Sequence, residues 1–371
     1  MAAVMAELPG IGRMKEHSAP IPVPETSSRG SQRTGIGELP DRLTLLERIG
    51  SGGMGEVWRA RDELLGRDVA VKVLRPGRSS SKLATRLERE ARAIARLRHP
   101  AIVTIHDIGR DGEGSPYLVM ELLRGFDLGE LLHRIGRVPA ASAVQTMLPV
   151  IEALDVAHRH QVIHRDLKPE NVFLAESDLG RRRPTLLDFG TAGIGRNSGL
   201  TAEVIGTPQY MAPEQLRAET RVGPAADQWA AAMTIYALVE GSPPFASPED
   251  EGTDLGAIFA RIRSAPLPFP RSGSMDGALF RVLARAARKA EQERYGSMQE
   301  LAEALRGWLR RCGEPERLDH APRLRGHQMT TRPEALDGSA PSDNGNESGA
   351  AAEDGVSLDD AIRESLLGGE R

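Results

Sequence analysis

The run Gly50-Ser51-Gly52-Gly53-Met54-Gly55 is followed by Glu56-Val57-Trp58-Arg59, which reads as a strand with no helical stripe behind it. That succession constrains the fold more than any other feature. A Gly-x-Gly-x-x-Gly run in a dinucleotide fold must open a helix. Here an apolar run, Leu43 to Gly50, precedes the glycines, and Val69 to Leu74 is rich in β-branched residues. The segment therefore reads as successive strands with turns between them. Glycines let backbone N–H groups approach an anion without a Cβ clash, so a hairpin folded over phosphates fits. A plain glycine-rich hairpin fits as well, and the loop alone fixes no function.

Further along, Leu83, Leu87, Ile94 and Leu97 fall at helical spacing and predict a helix over Ser81 to His99. Glu90 lies on its apolar stripe and Glu88 does not. A buried acid needs a partner, and Lys72, in Val69-Ala70-Val71-Lys72, is the candidate; Glu90 bordering the stripe in solvent is the alternative. Ile102 to Ile108 and Tyr117 to Glu121 read as two more strands, completing a small sheet. From Ala140 the character turns helical, with Val144, Met147, Leu148, Ile151, Leu154 and Val156 marking a long apolar helix. Asn171 to Leu174 and Pro184 to Leu187 flank a basic turn, Ser177 to Arg183, read as a solvated hairpin loop. Ala225 to Val239 is apolar almost all round and predicts a buried spine. Ser297-Met298-Gln299-Glu300 is a capping box opening a last helix with Leu301, Leu305, Trp308 and Leu309 on one side.

Composition sets the outer limits. The chain has 371 residues, 40% apolar and 27% charged, which suits a two-lobed globular unit with tails. Its net charge of −4 gives no electrostatic case for a nucleic-acid partner or an anionic membrane surface. The single cysteine, Cys312, excludes an internal disulfide and suits a reducing compartment. No uninterrupted apolar run reaches the roughly 18 residues of a membrane span, and Met1 to Gly10 lacks the basic-then-apolar layout of a secretory signal. A cytoplasmic location with no membrane span is the expectation. Residues 1–42, rich in Pro, Gly and Ser, read as a disordered leader, and 311–371 as a polar, acidic disordered tail.

Chemistry concentrates in His164-Arg165-Asp166-Leu167-Lys168-Pro169-Glu170-Asn171. Asp166 can accept a hydroxyl proton, Lys168 can neutralise a phosphate and Asn171 can hold a metal. Phosphoryl transfer needs these parts, because it is mostly positioning and charge neutralisation. Asp188-Phe189-Gly190 adds a second metal-binding acid.

The glycine loop, Lys72, the Asp166 loop and Asp188-Phe189-Gly190 occur in the order of the protein-kinase signature set. The chain resembles the bacterial eukaryotic-like (Hanks-type) serine/threonine protein kinase family over about residues 43–310. The resemblance implies an α+β, bilobal fold: a five-stranded antiparallel N-lobe sheet with one helix (about 43–121) and a mainly helical C-lobe (about 124–310). It implies ATP and Mg2+ as cofactors, with Asn171 and Asp188 on the metal, and Lys72, held by Glu90, on the α/β-phosphates. Asp166 and Lys168 are then catalytic. The nucleotide pocket takes in Ile49, Gly50, Ser51, Gly52, Gly53, Met54 and Gly55, with Val57 and Ala70 above the adenine and Phe173 below. Met120 gates its back, the backbone of Glu121 and Leu123 binds the adenine edge, and Asp127 reaches the ribose. Gly206-Thr207-Pro208-Gln209-Tyr210 resembles the acceptor platform for serine and threonine, so protein substrates with Ser/Thr acceptors are implied. Glu214 pairs with Arg294 and Asp227 tethers the Asp166 loop. Arg165 suits a phosphate on the activation segment, with Thr201 and Ser198 the best-placed acceptors. Autophosphorylation in trans would call for a transient homodimer.

Overall fold

A computed structural model describes residues 37–52, 55–74, 88–89, 91–177, 180–189, 208–217, 222–246 and 255–313. Strands β1 (Leu43–Gly52), β2 (Gly55–Asp62), β3 (Arg67–Leu74), β4 (Ile105–Arg110) and β5 (Pro116–Glu121) form a five-stranded antiparallel sheet in the order β1-β2-β3-β5-β4. Side chains alternate across a strand. On β3, Val69, Val71 and Val73 join Leu43, Ala60, Tyr117 and Val119 in one apolar cluster, which sends Ala70 and Lys72 to the opposite face.

The helical body begins beyond β6 (Gly125–Asp127). It contains α1 (Leu128–Ile135), α2 (Ala140–Arg159), α3 (Ala225–Glu240), α4 (Leu255–Ser264), α5 (Gly277–Ala286) and α6 (Met298–Arg311), with β7 (Val172–Glu176) and β8 (Arg182–Leu186) as a hairpin. β6 pairs antiparallel with β7. Gly125 permits that pairing: its φ is +135°, and a Cβ there would stand 2.1 Å from the Leu174 carbonyl oxygen. Helix α3 is the spine read from its all-round apolar sequence. Residues Ala226 to Val239 are all buried, and the helix ends on Gly241 at φ +87°. Helix α2 is long and apolar enough to cross a membrane by length and mean hydropathy (1.2), and its apolar residues lie in the core of the helical body. Val156 is the half-buried exception to the stripe read from its sequence.

Three boundaries differ from the sequence reading. The first helix ends at residue 94 and not at His99: after Ala95 N–H bonds the Ala91 carbonyl, Arg96 and Leu97 bond the carbonyls of Ala93 and Ile94, tightening the last turn to i→i−3 bonds. Strand β4 starts at Ile105, since Ile102 bridges in parallel to Leu186 of β8. An apolar run does not reveal which neighbour it will pair with. The capping box is displaced by one residue: Ser297 accepts the Glu300 N–H, but the Glu300 carboxylate takes the N–H of Gly296.

Candidate active site

The backbone around Asp166 turns sharply and has to be held. Arg165 has φ +66° and Asp188 φ +50°, left-handed values that non-glycine residues adopt only when their surroundings impose them. Asp227, in the first turn of α3 and fully buried, supplies much of that hold. Its Oδ2 accepts the His164 N–H at 2.9 Å and its Oδ1 the Arg165 N–H at 2.8 Å. His158 Nε2 lies 2.7 Å from Oδ2. Burial alone would raise the Asp227 carboxyl; the bonds from His158 and the His164 backbone outweigh it and hold it below the ordinary value. Gln215 completes the brace by donating to the Arg165 carbonyl at 2.8 Å.

His164 links this loop to the segment after β8. Its Nε2 lies 2.8 Å from the Leu187 carbonyl, so that nitrogen carries the hydrogen, and Nδ1 accepts the Asp166 N–H at 3.3 Å. Its ring tilts against Phe189 at 4.9 Å between centroids. Leu187 N–H in turn donates to the Asn171 carbonyl at 2.9 Å, setting Asp188 beside Asn171 in the chain path.

The side chains converge. Asn171 Nδ2 donates to the Asp166 backbone carbonyl at 2.6 Å and to its Oδ2 at 3.1 Å. That orientation, assigned from the donors and acceptors present, turns the amide oxygen of Asn171 away from Asp166. Lys168 Nζ is 3.5 Å from Asp166 Oδ2. Lys72 Nζ reaches from β3 to Asp188 Oδ1 at 2.6 Å. Loss of solvent would raise the Asp188 carboxyl, but the Lys72 ammonium, with His164 and Lys168, holds it below the ordinary value. An acid, cations and two hard oxygen donors thus share one cleft between sheet and helical body. Asp188 and the Asn171 amide oxygen suit a magnesium ion, which takes a few protein oxygens and completes its shell with phosphates and water.

The sheet register places the residues expected to hold a nucleotide. Gly50 pairs with Val57, Val57 with Lys72, and Ala70 with Met120 in the sheet register. Gly52 pairs with Gly55 across the β1–β2 hairpin, so Gly50, Gly52 and Gly55 lie on paired antiparallel strands. Ser51 is exposed, Ile49 is 49% exposed, and Glu121 and Leu123 are half-buried at the crossing into the helical body. Phe173 faces Asp127 in the β6–β7 register. Asp127 does other work as well: its Oδ1 caps α1 through the Glu130 N–H at 2.8 Å. The Glu121 carboxylate accepts the Thr104 N–H at 2.8 Å.

Glu90, Gly53, Met54, Ser198, Thr201 and Thr207 lie outside the described residues, so the Lys72–Glu90 pairing has no description here. Glu88, read as off the apolar stripe, has a side chain only 12% exposed and ion-pairs with Arg110 at 2.6 Å and Arg92 at 3.3 Å. The basic β7–β8 turn is more than a solvated loop: Arg182 stacks over Phe126, and Arg183 donates to the Pro100 carbonyl. Glu214 and Arg294 form the expected pair, bidentate at 2.7 and 2.8 Å and almost wholly buried. Gln215 and His158 were not singled out from sequence. Their only signal was position, Gln215 beside Glu214 and His158 near the end of a helix leading into the loop.

Residues 43–305 match the family described as "Protein kinase domain". The chain is similar to serine/threonine-protein kinase PknB of Mycolicibacterium smegmatis, 35% identical over 272 residues, covering 71% of this chain and 42% of that protein. It is similar to serine/threonine-protein kinase PknF of Mycobacterium tuberculosis, 37% identical over 285 residues, covering 74% of this chain and 58% of that protein. The chain thus spans about half the length of these curated relatives. The crystal structure of the Mycobacterium tuberculosis PknI kinase domain superposes with a TM-score of 0.56 at 30% identity, covering 73% of this chain and 98% of that domain.

Proposed function

The chain belongs to the protein kinase family, and from that premise we propose that it is a serine/threonine protein kinase, moving the γ-phosphoryl group of ATP to hydroxyls of protein substrates. The observation that carries the reading is the convergence of Lys72, Asp166, Lys168, Asn171 and Asp188 in one cleft, joined by the Lys72–Asp188 pair. The names of the relatives support serine and threonine as acceptors.

In this reading Asp166 orients the substrate hydroxyl and takes its proton as the oxygen bonds to the γ-phosphorus and the bond to the ADP oxygen breaks. Lys168, beside Asp166, balances charge on the transferring group. Lys72 turns from Asp188 toward the α/β-phosphates. Asn171 and Asp188 would hold Mg2+, which when bound neutralises phosphate charge. The half-buried apolar Val57, with Ala70 and Phe173, suits an adenine ring. Autophosphorylation in trans at Thr201 or Ser198, through a transient homodimer and with Arg165 receiving the phosphate, belongs to the same proposal.

Phosphosite mapping by mass spectrometry, with and without ATP and magnesium, tests it. Phosphoserine and phosphothreonine should form on a generic protein substrate and on the chain, and Asp166→Ala should abolish both. Wild-type protein that leaves every serine and threonine unmodified would overturn the assignment.

A further inference from the structure

A cavity of about 390 Å3 lies where the segment leaving the first helix meets β8, lined by Ile94, Leu97 and Ile102 and by Arg98, His99 and Arg183. It shares no residue with the Lys72–Asp166–Asn171–Asp188 cluster. Its size falls within the range that takes a small organic ligand. Ile94, Leu97 and Ile102 are each buried, giving it an apolar wall.

Among the described residues lining it, Arg98, His99 and Arg183 offer hydrogen-bond donors. Arg98 and Arg183 carry guanidinium groups. His99 accepts the Ala101 N–H on Nδ1 at 3.1 Å, which leaves the hydrogen on Nε2. Arg183 donates to the Pro100 carbonyl and has a carboxylate neighbour, Glu121, at 3.7 Å, beyond hydrogen-bond length. That guanidinium is therefore braced on one side and paired loosely on the other. A planar guanidinium fork binds a carboxylate best through two parallel N–H···O bonds, a geometry Glu121 does not supply.

We propose that this cavity is a second ligand site, taking a small organic acid with its apolar body against Ile94, Leu97 and Ile102 and its carboxylate on Arg183 and Arg98. The occupant competes with Glu121 for Arg183.

Calorimetric titration of the full chain with 1-naphthoate and with its neutral counterpart 1-naphthamide tests the site. The acid should bind saturably and at least ~10-fold tighter than the amide, the margin of a charge-assisted pair. Arg183→Met should erase that preference, and Arg98→Met should reduce it should the first variant fail to fold. Ala95→Trp, which fills the space, should abolish binding of both compounds. Equal affinity for acid and amide, no saturation by the acid, a preference that survives both arginine substitutions, or competition by an ATP analogue that assigns the acid to the cleft would each overturn the proposal.

Discussion

The ammonium of Lys72 stands 2.6 Å from Asp188 Oδ1, tying the middle of the sheet to the segment that follows β8. Lys72 is 8% exposed and Asp188 37%. The pair is a contact that a nucleotide and its metal would divide between them, phosphates taking the cation and the metal taking the acid.

That pair fixes the sign of one acid-side effect. The Asp188 carboxyl is held below its ordinary value of 3.8. A depressed carboxyl adds stability that is fully present above the unfolded value and is lost as pH falls through the folded one. Lys72→Met removes the main charge responsible. The gap in melting temperature between wild type and variant should be widest near neutrality and should close as pH drops below 3.8. Thermal melts at stepped pH measure it, and a gap that ignores pH would show that the pair does not set the Asp188 carboxyl.

Asp227→Asn tests the anchoring of the Asp166 loop. The native carboxylate faces N–H groups of His164 and Arg165 and the ring of His158. The amide keeps one acceptor and turns an NH2 toward a buried donor. An unsatisfied buried donor costs about 1–3 kcal/mol, so the variant should lose stability of that order. Arg165, at φ +66°, should also relax, lowering kcat more than it raises KM for ATP. Chemical denaturation and steady-state kinetics read the two effects. A variant as stable and as active as wild type would mean the loop is held elsewhere.

These anchors also show how far the sequence could be read. The sheet was legible because β2, β3 and β5 carry β-branched and aromatic residues between turn signals, and α3 because its apolar residues circle the helix. The site was legible because Lys72, Asp166, Asn171 and Asp188 occur in a recognisable order. What could not be read was pairing at a distance. β6 is three residues long and exists because β7 lies beside it and Gly125 lets the strands approach. Ile102 is equally apolar whether it extends β4 or bridges to Leu186. Gln215 has the composition of an ordinary surface residue, and only the fold brings its amide to the Arg165 carbonyl.

Glu214 and Arg294 should behave as a unit. Their side chains are 2% and 0% exposed, and Arg294 also donates to the carbonyls of Ala225 and Arg288. Arg294→Met leaves a buried carboxylate without its cation, at an expected cost of about 3–5 kcal/mol. Adding Glu214→Leu should recover much of that loss, because the stranded charge is gone. Recovery should be incomplete, since the two carbonyls still lack their donor. A double-mutant cycle in urea measures the coupling, and simple additivity of the two losses would contradict a coupled pair.

Lys289 shows the same sign of pH dependence as Asp188, displaced to the alkaline side. Its Nζ donates to the Ile262 carbonyl at 2.7 Å in the last turn of α4, and it stands 4.5 Å from the ring centroids of Trp229 and Phe245. The carbonyl and the rings favour the ammonium form. Burial, helped by nearby Arg294, outweighs them and lowers the amine from 10.5 to about 8. Between those values the unfolded chain binds more protons than the folded one, so this group's contribution to stability rises with pH. Below about 8 both states hold the proton and the cost of the buried charge is fully present. Lys289→Met cannot titrate. Wild type should therefore gain stability relative to Lys289→Met as pH rises from about 8 toward 10.5, with no relative change between about pH 6 and 7, where both states stay protonated. The neutral amine can still donate to Ile262, so α4 should keep its seat as the proton leaves. Urea midpoints for both proteins at stepped pH would show this as converging or diverging curves. Parallel curves would mean that Lys289 titrates at its ordinary value and that the aromatic pair stabilises the ammonium as fully as water does.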